Sequence, residues 1–250
     1  MDKNLSNRKC GDVGIRILET MAPYLWFDTA NVTTVNVKGD TVYAKKKGEN
    51  ATAFQNPVEG TMTIEAQVLP FRMYALLGDG TISAEGVKDV KTTIACTTAG
   101  TLTITAEDGG TVKSGTVFVY PEGYFGVETK AIAGSFTTGT FTATTPADIA
   151  VGTSYEVGYI VNKASGVSTV SIATDKIPKD YYITMSTDGK AEDGSITVLD
   201  ITAYKASIQR NIEMSFSSEG DPQSVTLTFD LLHNKDGKFL DITEENDITA

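Results

Sequence analysis

His233 is the single histidine among 250 residues, and it lies in "DLLHNKDGKF" beside Asn234, Asp236 and Gly237. Two chemistries are conceivable there. An imidazole serves as the base of a Ser–His–acid or Cys–His arrangement, and oxygens around a glycine turn hold calcium. Spacing argues against both. The chain has no G-x-S-x-G nucleophile turn, and His233 sits at a strand end beside a turn, where a surface residue belongs. An EF-hand loop places ligands at positions 1, 3 and 5, glycine at 6 and glutamate at 12. With Gly237 at the sixth position, Asp236 and Asn234 take the fifth and third, but Leu232 takes the first and Thr243 the twelfth. The stretch reads as a turn. "DGKAEDG" at 188–194 puts Lys190 where a ligand belongs and fails as well.

Zinc sites draw on several Cys and His ligands. Cys10 and Cys96 are far apart, neither belongs to a CxxC pair, and His233 is the only imidazole. The cysteines read as two free thiols of a reducing compartment rather than a disulfide. No phosphate-binding glycine loop or dinucleotide fingerprint is present. Among 32 acidic residues no glycosidase pair stands out. Trp26 and Phe27, like Tyr181 and Tyr182, are adjacent, so on strands each pair splits between opposite faces. One member of each pair is assigned to the core, and no sugar platform emerges. The chain is therefore expected to be no enzyme and to hold no metal or cofactor.

The formal charge of −11 disfavours nucleic acid, whose binding needs lysines and arginines to displace counterions. It also disfavours anionic membrane. No run approaches the roughly 20 apolar residues of a membrane span. "MDKNLSNRKCGDVG" lacks an apolar core, so no secretory leader is expected.

The elements that would position these residues are strands. Met62, Ile64, Ala66 and Val68 alternate with polar residues, as do Tyr155, Val157, Tyr159 and Val161, and Ile212, Met214 and Phe216. Half-buried strands of antiparallel sheets have this pattern. "TLTIT" adds another. Gly220–Ile242 holds two alternating runs around a glycine turn, which predicts a closing hairpin. "IRILETMAPYLWF" fits a short helix or a strand, interrupted by Pro23. "LPFRMYALLGDG" predicts one short helix, with Pro70 in its first turn, Phe71, Tyr74, Ala75 and Leu77 on one stripe, and Gly78 as its stop.

From about Lys88 to Val167 the chain is rich in Gly and Thr and sparse in charge. Six or seven short strands over about 80 residues suit an immunoglobulin-like sandwich. The expected organisation is all-β: an antiparallel sandwich or barrel-like domain with one short flanking helix, formed by residues 1–88 and 168–250, and an inserted Ig-like sandwich at 89–167.

"ATAFQNPVEGTMTIEAQVLPFRMYALL" and "ITAYKASIQRNIEMSFSSEGDPQSVTLTFDLLHNKDGKFLDI" resemble the tail tube proteins, or major tail proteins, of long-tailed bacteriophages. The likeness lies in a strand entering a short helix, and in a long strand, an "EGDP" turn and a closing hairpin. It covers residues 1 to about 87 and 168–250. The insert has no counterpart in minimal tube proteins, although some members carry immunoglobulin-like additions on the tube exterior. The resemblance implies a structural virion protein without a cofactor, forming hexameric rings that stack into a tube for DNA ejection. It implies assembly in the host cytoplasm and residence in the virion tail. The implied partners are other copies, a terminator, a tape measure, a baseplate or tip and, in contractile tails, a sheath. DNA passes without specific binding, and no membrane is involved. Two other readings stand beside it: a capsid decoration protein or other virion component, and a carbohydrate- or host-binding sandwich.

"YAKKKGENATAFQNPVEG" is long for a simple hairpin, and long loops in compact domains are often functional. It reads either as a solvated loop with a lysine cluster or, on the resemblance, as a self-assembly arm carrying Lys45, Lys46, Lys47, Phe54 and Pro57. For a tube, the polar faces of "IEMSF" and "SVTLTFDLL" offer Glu213 and Asp230 as acids lining the lumen.

Overall fold

Alternating threonine, valine and larger apolar residues favour pleated, half-buried surfaces, and strands dominate the chain. In the computed structural model, residues 5–7, 9–28, 30–68, 70–211, 219 and 224–245 are described. The strands are β1 (Leu5–Asn7), β2 (Asp12–Ile17), β3 (Pro23–Phe27), β4 (Ala30–Lys38), β5 (Thr41–Lys46), β6 (Glu49–Gln55) and β7 (Glu59–Ala66). Then follow β8 (Gly86–Ala95), β9 (Thr101–Thr103), β10 (Thr111–Val112), β11 (Phe118–Pro121), β12 (Gly134–Thr137), β13 (Thr140–Ala143) and β14 (Ser154–Lys163). Last among the described residues come β15 (Asp180–Ala191), β16 (Ile196–Ile208), β17 (Val225–Leu231) and β18 (Leu240–Glu245). The all-β class expected from the sequence is what forms. Two compact units result, one from residues 1–81 and 171–250, the other from 82–170.

In the first unit one antiparallel sheet runs β3-β2-β15-β16-β17-β7-β4, with β1 on β15 and β18 on β16. Two of its strands are interrupted. β1 lies opposite Gly189–Ala191 and β2 opposite Tyr181–Ser186, end to end along β15. β17 lies opposite Ala206–Ile208 and β18 opposite Val198–Ala203, end to end along β16. The closing stretch is therefore not a hairpin. β17 and β18 pair with the same neighbour rather than with each other, and residues 232–239 leave the strand line and return to it. Alternation and a glycine turn are common to both arrangements. Only the long partner strand β16, with room for both segments, distinguishes them.

Val13, Ile15, Met62, Ile64, Tyr181, Ile183, Leu227 and Phe229 are fully buried on one side of this sheet. Burying each such side chain contributes about 1.5–3 kcal/mol. Tyr181 packs against Tyr24 and Phe229, with ring centroids 5.7 and 6.5 Å apart. The sheet curls strongly: Cys10 Sγ, just before β2, reaches Thr33 Oγ1 of β4 at 3.4 Å, although four strands lie between β2 and β4 in the sheet order.

"LPFRMYALLG" forms a 3-10 helix, Phe71–Leu77, between an extended Pro70 and Gly78. Its tighter turn changes the buried stripe. Met73 and Leu76, three apart, are buried together with Ala75 and Leu77, while Phe71 stays exposed. "IRILETMAPYLWF" forms neither a helix nor one strand. Ile17 N donates to Ala22 O at 3.0 Å, Met21 adopts φ 55°, and Pro23 opens β3. Val68, placed with Met62 on one face by alternation, lies beyond the end of β7 and is exposed. The predicted strand around Ile212, Met214 and Phe216 and the "EGDP" turn fall outside the described residues, apart from Glu219.

The second unit has two small sheets. β14 pairs with β8 on one side, and on the other with β10 and β11, which form a second interrupted edge. β12, β13 and β9 form the other sheet. Val157, Tyr159 and Val161 of β14 share a core with Leu102, Phe141, Val119 and Ile149. The alternation read in "YEVGYIV" is this buried face.

Candidate functional site

The residues capable of chemistry are occupied by structure. Asn234 Oδ1 accepts from the backbone N–H of Asp236 at 2.9 Å and of Lys238 at 2.8 Å, and Gly237 adopts φ 75°. That amide oxygen closes a turn. Among the described residues no group of three or more His, Cys, Asp or Glu converges on one point. His233 is exposed and packs against Phe239 at a tilt of 46°, centroids 5.3 Å apart. In "DGKAEDG", Asp188 pairs with Lys9 at 3.0 Å and Asp193 Oδ1 caps Ser195 N at 2.9 Å. Cys10 and Cys96 are free thiols, and Cys96 Sγ donates to Thr98 O at 3.1 Å. Trp26 is exposed while Phe27 is buried, and Tyr181 is buried while Tyr182 is half-buried, so each adjacent pair splits across the sheet.

The lysine-rich stretch is ordered differently from a loop. β5 and β6 form a separate two-stranded hairpin, off the main sheet. Lys47 at φ 52° and Gly48 at φ 90° form its turn. Two consecutive positive φ values match the twist of a tight hairpin, and glycine adopts one without penalty. Lys45 and Lys46 end β5, so the lysines form a basic tip. Val42 faces Phe54 across the strands, and the two are 54% and 59% exposed. Every residue of both strands is exposed except Thr41. At the base Asn56 N donates to Asp40 O at 2.8 Å, and Lys38 lies 3.6 Å from Glu59.

Pro57, beyond β6, and Asp230 come together. With Val58, Gly60, Leu232 and His233 they line a groove of about 640 Å³. Gly60 is required here, since a Cβ would meet the Phe239 ring at 2.6 Å. Asp230 lies on the polar face of β17, opposite Ser207 and Thr61, and its Oδ1 accepts from Gln209 Nε2 at 2.7 Å. Lys45, Lys46, Lys47 and Phe54 belong to the projecting hairpin and do not line this groove. Glu213 falls outside the described residues.

The polar face of the main sheet is acidic and hydroxyl-rich. Register aligns Asp12, Ser186, Asp200 and Thr243 in one row and Gly14, Thr184, Thr202 and Asp241 in the next. Asp241 accepts from Tyr204 Oη and lies 3.5 Å from Lys238 Nζ. The Tyr204 hydroxyl, then Lys238, hold its carboxyl below the usual range. Such a face offers hydrogen bonds and charge. No helix among the described residues is long and apolar enough to cross a membrane.

The sequence model of the YomU/Tube protein family matches residues 12–242. No curated protein matches the chain.

Proposed function

The chain belongs to the YomU/Tube family of phage tail tube proteins, and from that premise we propose that it assembles into six-membered rings that stack into the tail tube, the conduit for DNA ejection. The observation that carries the reading beyond family membership is the β5–β6 hairpin. Two strands alone are marginally stable in water, and this pair leaves Val42, Tyr43 and Phe54 exposed. An apolar surface of this kind calls for a partner. A basic tip on a chain of formal charge −11 favours a second copy. The arm, with Lys45, Lys46, Lys47, Phe54 and Pro57, docks on a neighbouring subunit or ring.

The polar face of the main sheet is the natural wall of the bore. Its aspartates, Asp230 among them, repel a duplex carrying one negative charge about every 1.7 Å of axis. Repulsion rather than binding suits a tube that lets DNA slide. In this reading the 82–170 unit is an inserted Ig-like sandwich on the tube exterior. The terminator, tape measure and tip contact the tube ends, and a sheath surrounds it if the tail contracts. The subunits assemble in the host cytoplasm, and the protein performs no catalysis.

Negative-stain microscopy of the purified chain, alone and with a tail-tip complex as nucleus, tests the reading. Rings or tubes with six-fold symmetry are expected. A chain that stays monomeric at every concentration and with every nucleus removes it.

A further inference from the structure

Trp26 is the only tryptophan of the chain, and it is 60% exposed. It lies across Gly14, where a Cβ would come within 3.1 Å of its ring. Beside it is a pocket of about 300 Å³ lined by Arg16, Pro23, Tyr24 and Arg72. Both arginines are fixed by neutral groups. Arg16 Nη1 donates to Met21 O at 3.1 Å, and Arg72 Nη1 donates to Tyr24 O at 3.3 Å. The Arg72 guanidinium also lies 5.5 Å from the Tyr24 ring centroid. Among the described residues, neither arginine forms an ion pair with a carboxylate. Tryptophan and arginine held rigidly at a surface are the residue types that dominate interface energetics.

The occupant is indicated by charge and by position in the sheet. Among the described residues β3, which carries Trp26, pairs only with β2 and ends the sheet on that side. With β2, β15 and β16 between, β18 presents another free edge, because among the described residues it pairs only with β16. That strand exposes Ile242 at 64%, followed by the exposed carboxylates of Glu244 and Glu245. A cationic aromatic corner thus lies on one edge of the sheet and an acidic strand with an apolar residue on the other. Two different patches on opposite edges make a head-to-tail contact, which closes into a ring when the rotation allows.

We propose that the Trp26–Arg16–Arg72 corner of one subunit receives the β18 edge of a second copy, with Glu244 meeting the arginines and Ile242, on the same face of β18, meeting Trp26, while Glu245 adds negative charge beside them. The proposal rests on the self-assembly reading above and names the contact between adjacent subunits of one ring.

Reciprocal charge reversal tests it. Glu244→Arg/Glu245→Arg alters exposed side chains only, so the monomer keeps its circular dichroism spectrum and melting temperature. Its critical concentration for assembly rises at least about tenfold, the equivalent of 1.4 kcal/mol. Arg16→Glu/Arg72→Glu and Trp26→Ala do the same. A chain carrying both reversals recovers assembly. Wild-type-like assembly of the Glu244→Arg/Glu245→Arg variant overturns the proposal while leaving the tube reading intact. So does a combined variant that folds but fails to recover. A wild-type chain that never polymerises removes the tube reading itself.

Discussion

Asp79 illustrates how single side chains tie the chain together. Lys176 Nζ donates to its carboxylate, Thr81 Oγ1 donates as well, and Thr81 N donates at 3.1 Å. The Lys176 ammonium first, then the Thr81 hydroxyl, hold the carboxyl well below the ordinary range. A carboxyl depressed in the folded state contributes stability above its unfolded pKa, about 3.9 for Asp. That contribution is lost as pH falls from there toward the folded value. The stability difference between wild type and Asp79→Asn, from urea unfolding, is therefore largest near neutral pH and shrinks below about pH 4. A difference independent of pH would remove the ion pair from the account. Phe229 acts by packing instead. It is fully buried and faces Tyr181 edge-on at 82°. Phe229→Ala should lower stability by about 3–5 kcal/mol through lost transfer energy and a cavity, read from the denaturant midpoint.

At the scale of elements, the β5–β6 hairpin and the interrupted β17–β18 strand carry the assembly argument. The hairpin's strands contribute almost nothing to the folded monomer, since nearly all their residues are exposed. Replacing Lys45, Lys46 and Lys47 by glutamate, or Phe54 by serine, should leave the monomer's melting temperature unchanged and raise the concentration needed for tubes. Unchanged tube formation in both variants would take the arm out of the mechanism. The excursion 232–239 belongs to the body of the fold, through Phe239 over Gly60 and the Asn234 turn. Gly60→Ala forces that ring aside and should destabilise the monomer by about 1–3 kcal/mol, a loss visible without assembly.

At the scale of the whole molecule, the two compact units are expected to be separable. Ser83 and Thr169 exchange backbone hydrogen bonds of 2.9 and 2.8 Å where the 82–170 unit begins and ends. Segments that leave and return at one point tolerate excision. Replacing residues 82–170 with a short Gly/Ser bridge should leave a soluble first unit that still polymerises. Insolubility across several bridges would show that the two units fold as one. In the proposed ring each lumen residue would be repeated around the axis. Charges act only within about 8 Å at physiological salt. A ring structure should therefore show more Asp and Glu than Lys and Arg on the bore, and a net basic bore would overturn the repulsion argument.

Period-two alternation determined which faces are buried. Met62, Ile64, Tyr155, Val157, Leu227 and Phe229 were legible because a strand's side-chain direction is fixed locally. Turn chemistry was equally local, and a failed ligand spacing was enough to read Asn234 and Gly237 as a turn. Strand pairing was not local. Whether β17 meets β18 or both meet β16 depends on a partner more than twenty residues away, and nothing in either run names that partner. The 3-10 winding of Phe71–Leu77 was hidden for a similar reason: the stripe it buries depends on what packs over it. The two strands of the lysine-rich hairpin were not legible because their residues lack the burial that alternation reports. The Trp26 corner left no sequence signal at all. Arg16 and Arg72 are 56 residues apart, and only the approach of the 3-10 helix to β3 brings them to one tryptophan.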